Sequence, residues 1–466
     1  MAVLQYLGEV EVERMTLVNN IGVGVNILPI FKEISIFQHI NLPTLTAEIE
    51  IEEATGFSEV FPILGMERLD VTFRTKTGLG QFEKSFNVTS MTQKENVTNK
   101  RAVNYFLHCV SGEYFKSETK RISKTYRGTI SDIINDIYKE HIKILRGAPS
   151  EELEGDEDDL NVLTESSGQF KFVVPNWTPF QTIEYLLKKA VSTKSNAANF
   201  VFYETMNGFY LDSMDRLMEE DPWQVYHFSP VNVKPGGTRQ FAYDFTSVTD
   251  FEIIRPFPDT LKSLQKGMYA SKLITHDITT KEIKVQKFDY MKEFASRNHL
   301  GITQMLPLQG LSHVDGPAKK LHEAEDAVIN VYPKHTYLHA TKDNNNNQFQ
   351  NHAEDWIQQR CSDIQTMQSI EIQIKIPGNH ALEVGDVVAF NPPQFKPTEN
   401  KLEVNEYLSG KFLVTRVRHN VSKEYFTSIV SLSKDSFESG VGSPTAATVE
   451  EIVNPLLPDY SRGMTD

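Results

Sequence analysis

Strict alternation of apolar and polar residues is the clearest pattern in the chain, and it occurs in two widely separated segments. In residues 45–52 every second position is aliphatic, and in residues 370–376 the alternate positions are four isoleucines. Because successive side chains of a strand point to opposite faces, each segment predicts a strand with one buried and one exposed face. The side chains expected to form the walls of these two β regions are Ile49, Ile51, Ile372 and Ile374.

The middle of the chain changes to helical spacing. Apolar residues recur at intervals of three or four in residues 130–141, 315–331 and 349–366, which predicts a helix in each segment. The pair Asn207-Gly208 lies between two apolar runs. This pair predicts a tight hairpin turn with positive φ at both residues.

A further helix carries a clear start signal at Trp177-Thr178-Pro179-Phe180-Gln181. The hydroxyl of Thr178 can accept a hydrogen bond from a free amide of the first turn, and Gln181 can bond back to the amide of Thr178. Pro179 suits the first helical position because no amide is needed there. These residues predict a capping box and a helix that continues towards residue 190.

The order of these segments indicates an α+β fold with two tube-like antiparallel β-barrel domains and intervening α/β and helical segments. The first barrel is expected at residues 1–117, and an α/β domain at 118–228. The second barrel is discontinuous, with parts at 229–275 and 367–437, and an inserted mainly helical region lies between them at 276–366. Residues 438–466 are rich in Gly, Ser, Pro and Thr and are expected to form a flexible tail.

A short internal echo links the two β regions. Phe86-Asn87-Val88-Thr89 precedes Asn96-Val97-Thr98, and Phe412-Leu413-Val414-Thr415 precedes Asn420-Val421-Ser422. Chance is one explanation of so short a match. Duplication of one β unit is the other, and two similar units in one chain would let three chains imitate a six-fold ring.

Composition excludes several classes of protein. The 466 residues include 47 Lys and Arg against 62 Asp and Glu, a formal charge of −15 that disfavours nucleic-acid binding. The two cysteines, Cys109 and Cys361, exclude a disulfide framework and a cysteine-based zinc module. Residues 1–6 lack the pattern of a signal peptide, and no apolar run reaches the ~20 residues of a membrane span. We therefore expect no membrane insertion.

Candidate chemistry is weak throughout. The acidic run at 151–159 predicts a solvated loop rather than a calcium site, because its spacing does not follow the 12-residue calcium loop. Gly22-Val23-Gly24-Val25 predicts a β-turn, since no helix follows it. His335 and His339 would lie about 13 Å apart on a strand, too far to share a metal ion. His276-Asp277 is a candidate base with its orienting carboxylate, but it would need a nucleophile, and the sequence has no Gly-x-Ser-x-Gly motif to supply one. We expect no catalytic residue, no cofactor and no metal.

Three segments, in this order, resemble the central hub proteins of contractile phage tail baseplates. The first is Val174-Pro175-Asn176-Trp177-Thr178-Pro179-Phe180, and the second is the hairpin from Phe200 to Ser213. The third is Leu382-Glu383-Val384-Gly385-Asp386-Val387-Val388, followed by 409–415, His419 and the strand through Leu432. The likeness extends over about 430 residues and leaves out the acidic run, the four consecutive Asn residues and the tail.

The resemblance implies a homotrimer in which each chain supplies two tube-like barrels to a ring with pseudo-six-fold symmetry. Such a ring joins the hexameric tail tube, or a tube initiator, to a trimeric central spike, and surrounding wedge proteins contact it. DNA would pass through the lumen without specific binding. The resemblance places the protein in the virion baseplate, after assembly in the cytoplasm of the host bacterium, and carries over no catalytic residue.

Two alternatives remain open. A spike-carrier or tail-tip protein of another contractile injection machine would share the barrels. A tail-associated peptidoglycan hydrolase would need paired carboxylates, which the many Asp and Glu residues neither identify nor exclude.

Overall fold

The computed structural model of the chain describes residues 8–75, 81–96, 102–144, 159–228, 246–278, 280–305, 320–334, 353–394, 403–405 and 407–439. The acidic residues 151–158, the histidines His335 and His339, the Asn run at 344–347 and the tail beyond Ser439 lie outside these ranges.

The described residues up to Ser111 form strands and one short helix. Their bounds are β1 (Val10–Val18), β2 (Gly24–Asn26), β3 (Phe31–His39), β4 (Thr46–Glu53), α1 (Phe57–Val60), β5 (Arg68–Thr75), β6 (Gln81–Asn96) and β7 (Val103–Ser111). The alternation predicted around Ile49 is present in β4, where every second side chain is buried. The β-turn predicted at Gly22-Val23-Gly24-Val25 is present between β1 and β2, where the amide of Gly22 donates to Asn19 O at 3.0 Å and Gly24 begins β2.

The next segment mixes helices and short strands. Its elements are α2 (Gly112–Glu118), β8 (Thr125–Gly128), α3 (Ile130–Ile137), a π-helical turn (Tyr138–Ile142), β9 (Asn161–Val162), β10 (Phe170–Val173), α4 (Pro179–Leu187), β11 (Phe200–Thr205), β12 (Gly208–Ser213) and α5 (Met214–Glu219). The capping box at Thr178 is confirmed in both directions, and Pro179 begins α4.

The hairpin between β11 and β12 is confirmed, but the predicted turn residues are wrong. Thr205 pairs with Gly208, so the two connecting residues are Met206 and Asn207. Gly208 has φ 141°, whereas Asn207 is absent from the described residues with positive φ. The turn therefore lies one residue earlier than Asn207-Gly208, and the amide of Asn207 donates both to Thr205 Oγ1 at 3.1 Å and to the Glu383 carboxylate at 3.2 Å.

The remaining elements begin at residue 224. They are β13 (Gln224–Phe228), β14 (Ser247–Val248), β15 (Asp250–Arg255), α6 (Thr260–Gln265), β16 (Ala270–Asp277), β17 (Ile283–Asp289), α7 (Tyr290–Phe294), β18 (Ile329–Lys334), α8 (Ile357–Met367), β19 (Ile370–Pro377), β20 (Val387–Asn391), β21 (Pro393–Gln394), β22 (Glu403–Val404), β23 (Gly410–Ser422) and β24 (Phe426–Lys434). Three-residue 3₁₀ turns occur at Leu321–Glu323, Glu325–Ala327 and Ala353–Asp355.

The helix predicted over residues 315–331 is wrong. The described part of that segment forms two 3₁₀ turns and then enters β18, which pairs in parallel with β16. Ile329 and Val331 are β-branched, and backbone pairing with β16 outweighs the weak helical spacing. The helix predicted over 349–366 is confirmed from Ile357 onwards as α8, whereas Ala353–Asp355 forms a 3₁₀ turn and residues 349–352 lie outside the described ranges.

Fourteen strands belong to one sheet, in which the two β regions are joined directly. Its main path runs β14-β13-β20-β23-β3-β4-β7-β6-β5-β1-β2, and β24, β19 and β15 extend from β23. The chain is therefore a mixed α and β protein dominated by an antiparallel sheet. The domain boundaries given above stay a prediction.

Five strands from each β region have the same arrangement. We call β3, β4, β5, β6 and β7 repeat A, and β15, β19, β20, β23 and β24 repeat B. Numbered along the chain, the strands of both repeats lie in the sheet order 1-2-5-4-3, with every neighbouring pair antiparallel. The first part of the echo, Phe86–Thr89 and Phe412–Thr415, therefore falls at the same place in two copies of one topology.

A β-bulge confirms the correspondence at single-residue level. The ladder between β6 and β7 shifts register after Val88, and that between β23 and β24 shifts after Val414, so Thr89 and Thr415 are the extra residues. Thr89 Oγ1 donates to the carbonyl of His108 at 2.9 Å, and Thr415 Oγ1 donates to that of Ser431 at 3.2 Å.

The turn before the third strand is also repeated. The amide of Met66 donates to Val88 O at 2.7 Å, and the amide of Gly385 donates to Val414 O at 2.9 Å. Both residues adopt left-handed backbone conformations, with φ 70° at Met66 and 96° at Gly385. A left-handed conformation has a steric cost for methionine that glycine avoids. Because repeat A has methionine at this position, its sequence gives no sign of the turn.

A carboxylate closes each of these turns. Glu67 Oε1 accepts from the amide of Leu64 at 2.8 Å, and Asp386 Oδ2 accepts from the amide of Glu383 at 2.9 Å. In both cases the acceptor follows the donor by three residues. The two repeats thus share a local hydrogen-bond pattern. A chance match of four residues would not explain this pattern, so it favours duplication of one β unit.

A buried ion pair ties the α/β segment to repeat A. Lys84 on β6 and Glu204 on β11 are both buried, and Nζ lies 2.7 Å from Oε1. The other carboxylate oxygen of Glu204 accepts from the Leu45 amide at 2.9 Å and from Ser111 Oγ at 2.5 Å. Loss of this carboxylate charge would leave the Lys84 ammonium buried without its counter-ion.

We expect Glu204→Gln to lower the free energy of unfolding by about 3–5 kcal/mol, as is usual when one partner of a buried ion pair is removed. Urea denaturation followed by circular dichroism measures the change. Glu184→Gln is the matched control, because Glu184 pairs with Lys188 on an exposed helix face and such pairs contribute ~0.5 kcal/mol. Equal losses in the two variants would contradict the role assigned to Glu204.

Candidate functional site

The described residues hold no group of three or more His, Cys, Asp or Glu side chains placed to bind a metal ion. Among the helices that the structure describes, none is long and apolar enough to cross a membrane. His276 and Asp277 are consecutive residues of β16, with His276 exposed and Asp277 buried, so they point to opposite faces of the strand. The arrangement does not fit the hypothesis of a base and its orienting carboxylate.

The four predicted wall residues are all buried. Ile49 and Ile51 pack in the apolar cluster under repeat A, and Ile372 and Ile374 pack in the cluster under repeat B. Each is 0% exposed. Their side chains therefore face the interior of the subunit, and the alternate side chains of the same strands face outward. Their role in an interface stays a prediction.

The candidate site is the seam where repeat B joins repeat A. Residues 416–422 of β23 pair antiparallel with residues 33–39 of β3. The backbone of Ile40 adds one more bond, because its amide donates to Thr415 O at 3.0 Å. Strand pairing of this length fixes both the distance and the angle between the repeats.

A buried polar group lies under the seam at His419. Its Nδ1 is 2.9 Å from Ser428 Oγ, and its Nε2 is 3.5 Å from Gln38 Nε2. Gln38 Oε1 in turn accepts from the amide of Val384 at 3.2 Å. The ring is fully buried, and burial lowers the pKa of His419 to about 3, so it is neutral at physiological pH.

The outer face of the seam is polar and carries charges of both signs. On repeat A, Lys32 Nζ lies 2.6 Å from Glu50 and 3.4 Å from Glu52, and the hydrogen bond to Glu50 raises the pKa of Lys32. On the repeat B side, Arg418 donates to Asn420 Oδ1 at 2.8 Å and to Ser35 Oγ at 3.1 Å.

Acidic and basic residues are separated along this face. The outward positions of β4 carry Glu48, Glu50 and Glu52, whereas those of β23 carry Arg416 and Arg418. Burial, followed by the charge of Arg416, lowers the pKa of His39 to about 4. This histidine therefore adds no positive charge near neutral pH. A face that carries one acidic and one basic strip favours contact with another protein surface over binding of a polyanion.

Sequence reasoning missed the seam, the repeated turns and the buried pair of Lys84 and Glu204. The seam and the ion pair join residues that are far apart in the chain, and the repeated turns carry different residues at equivalent positions, such as Met66 and Gly385. The echo at Phe86–Thr89 and Phe412–Thr415 was the one signal that pointed to the repeat.

The comparisons with known proteins agree with an assembly role. No protein-family model matches the chain. The probable baseplate hub protein gp334 of Vibrio phage KVP40 is 20% identical over 394 residues, which cover 83% of this chain and 85% of that protein. The chain resembles phage baseplate hub proteins. The resemblance inferred from the three sequence segments is confirmed.

The hub-like chain also has the fold of a solved tail protein. The tail protein from Neisseria meningitidis MC58 matches with a TM-score of 0.51 at 10% identity, over 93% of this chain and 98% of that one. The 43 kDa tail protein of prophage MuSo2 from Shewanella oneidensis matches with a TM-score of 0.48 at 8% identity, over 92% and 100% of the two chains.

The seam of the hub-like chain should lose stability in acid because of His419. Unfolded histidine has a pKa near 6.5, so below that pH the unfolded chain binds a proton that the folded chain excludes until about pH 3. Between pH 7.5 and 5.0 this difference amounts to about 2 kcal/mol. Urea unfolding at both pH values should show that His419→Gln loses ~2 kcal/mol less than the unmodified chain.

His276→Gln is the control for this experiment, since His276 lies exposed on β16. It should keep the pH dependence of the unmodified chain. If His419→Gln and the unmodified chain lost the same stability in acid, His419 would not be the group that couples the seam to pH.

Proposed function

We propose that this chain is the structural hub of a contractile phage tail baseplate. Three copies form a ring with pseudo-six-fold symmetry, made of two tube-like units per chain. The observation that carries the proposal is the presence of repeats A and B in one sheet with the same strand order and the same bulge. A chain with two equivalent units supplies six units when three copies close a ring.

The partners follow from this geometry. A ring that is six-fold in its walls and three-fold in its chains matches a hexameric tail tube, or its initiator, on one side and a trimeric central spike on the other. Wedge proteins of the baseplate surround it. The name of the relative from phage KVP40 supports the hub role and a place in the virion tail. Assembly would take place in the cytoplasm of the bacterial host.

The proposed lumen serves as a passage for DNA and not as a binding site. The formal charge of −15 gives a field that repels phosphates, which reduces adhesion during ejection. The hub role needs no catalytic residue and no cofactor. The names of both the relative from phage KVP40 and the tail protein from Neisseria meningitidis describe structural tail components.

The purified chain is expected to have a solution mass near three times 53.1 kDa, measured by light scattering on a sizing column in physiological salt. Addition of the trimeric spike protein of the same tail should give a complex of three hub chains with three spike chains. A monomer that stays monomeric with both spike and tube protein would contradict the proposal. A clearing zone on a cell-wall substrate gel would favour the hydrolase alternative.

A further inference from the structure

We infer that the ring closes through strand pairing between chains, in which the second half of β6 of one copy pairs with β15 of the next copy. This contact would reproduce between chains the seam that β23 and β3 form within each chain. The inference rests on the proposed trimer and deepens it, because it assigns the interface to two particular strands.

The seam within the chain is the template. Along one side of β23, residues 410–413 pair with β20 and residues 416–422 pair with β3. Along its other side, β23 pairs with β24. The fourth strand of repeat B is therefore shared between its own repeat and the first strand of repeat A.

The fourth strand of repeat A, β6, has an edge equivalent to the edge of β23 that pairs with β3, but no described strand pairs with it. Residues 81–87 of β6 pair with β5, and residues 86–96 pair with β7 on the opposite side. Within the described part of the chain, residues 90–96 have no strand on the side that continues from β5. This half of β6 corresponds to the half of β23 that holds β3.

The first strand of repeat B is the matching free edge. Among the described strands, β15 pairs with β19 alone, whereas its counterpart β3 lies between β4 and β23. Ile253 on β15 pairs with Ile372 on β19, and Ile36 on β3 pairs with Ala47 on β4. Because Ile372 and Ala47 occupy equivalent positions of the two repeats, Ile253 is equivalent to Ile36. Ile253 is 37% exposed, and Ile36 is 0% exposed.

The apolar residues that follow Ile253 are also exposed. Ile254 on β15 is 45% exposed, and Phe257, two residues beyond the end of β15, is 63% exposed. An open apolar edge of this kind is a hazard for a free monomer unless another chain covers it. A neighbouring copy with an unpaired half-strand of its own would cover it and satisfy both edges.

The contact is head-to-tail, because the two edges are different. Such an interface leaves one free edge at each end of any open assembly, and only a closed ring removes both. Every junction in the closed ring then has the same form. Junctions within a chain, between β23 and β3, alternate with junctions between chains, between β6 and β15. The equivalences place Thr92 opposite Arg255, as Arg418 lies opposite Phe37 within the chain.

Disulfide trapping tests this pairing. In a Cys361→Ser background, with Cys109 left in place because it is buried, Thr92→Cys and Arg255→Cys are introduced together. Opposed residues of antiparallel strands lie close enough for a disulfide. Mild oxidation should give covalent dimers and trimers on a non-reducing gel. Each single variant alone should stay monomeric on that gel, and a mixture of the two should give dimers only.

The control pair is Thr92→Cys with Ile283→Cys, because Ile283 is 64% exposed but lies on β17 of a different sheet. This pair should give no more than a tenth of the trimer formed by the first pair. Trapping by the control pair alone, or by a single variant with itself, would overturn the inference. So would absence of trapping in a chain that light scattering shows to be trimeric.

A second variant separates this inference from the hub proposal. Ile253→Asp should convert the trimer to monomer, while Ile283→Asp should leave the mass unchanged, and circular dichroism should show both variants folded. If the unmodified chain is a trimer and Ile253→Asp remains one, the strand assignment fails but the hub proposal stands. If the unmodified chain never forms a trimer, the hub proposal itself fails.

Discussion

The pairing of β23 with β3 is the constraint on which the rest of the structure depends. It brings together residues from the two ends of the described chain and merges two sheets into one. Without it, repeats A and B would be two separate units that could take many relative orientations. Backbone hydrogen bonds are directional, so one ladder sets the position of every strand on both sides.

The residues under the ladder suit a permanent junction. His419, Gln38 and Ser428 place polar groups where no water reaches, and each finds a protein partner. A buried polar group that is satisfied in one register is unsatisfied in a shifted one, and an unpaired group of this kind costs about 1–3 kcal/mol. The polar contacts therefore select the register, while the isoleucines beside them supply the apolar burial.

Local features of the fold could be predicted from the sequence. The alternation in β4 and β19, the capping box at Thr178 and the helix before residue 366 depend on neighbours within a few residues, and the structure bears them out. The turn lies one residue before the predicted position. Thr205 and Glu383 both accept from the amide of Asn207, and Glu383 is too distant in the chain for a local pattern to reveal this contact. The helix predicted over 315–331 is wrong because the end of that segment pairs with β16 as strand β18.

The repeat could be predicted only in outline. Equivalent positions carry chemically different residues, such as Met66 and Gly385 in the turn, so a comparison of letters finds only Phe86–Thr89 and Phe412–Thr415. What the two copies share is backbone hydrogen bonding, which many side chains can satisfy. The seam itself needed knowledge of which strand edges remain open, and that knowledge comes only with the fold.

The two repeats differ most in the connection between their first and second strands. In repeat A, β3 reaches β4 through a short turn, but in repeat B more than a hundred residues intervene between β15 and β19, including the small sheet of β16, β17 and β18. A ring assembled from this chain would alternate plain and decorated walls. The three-fold order of such a ring would thus come from this one insertion, while the strands of the walls keep six-fold symmetry.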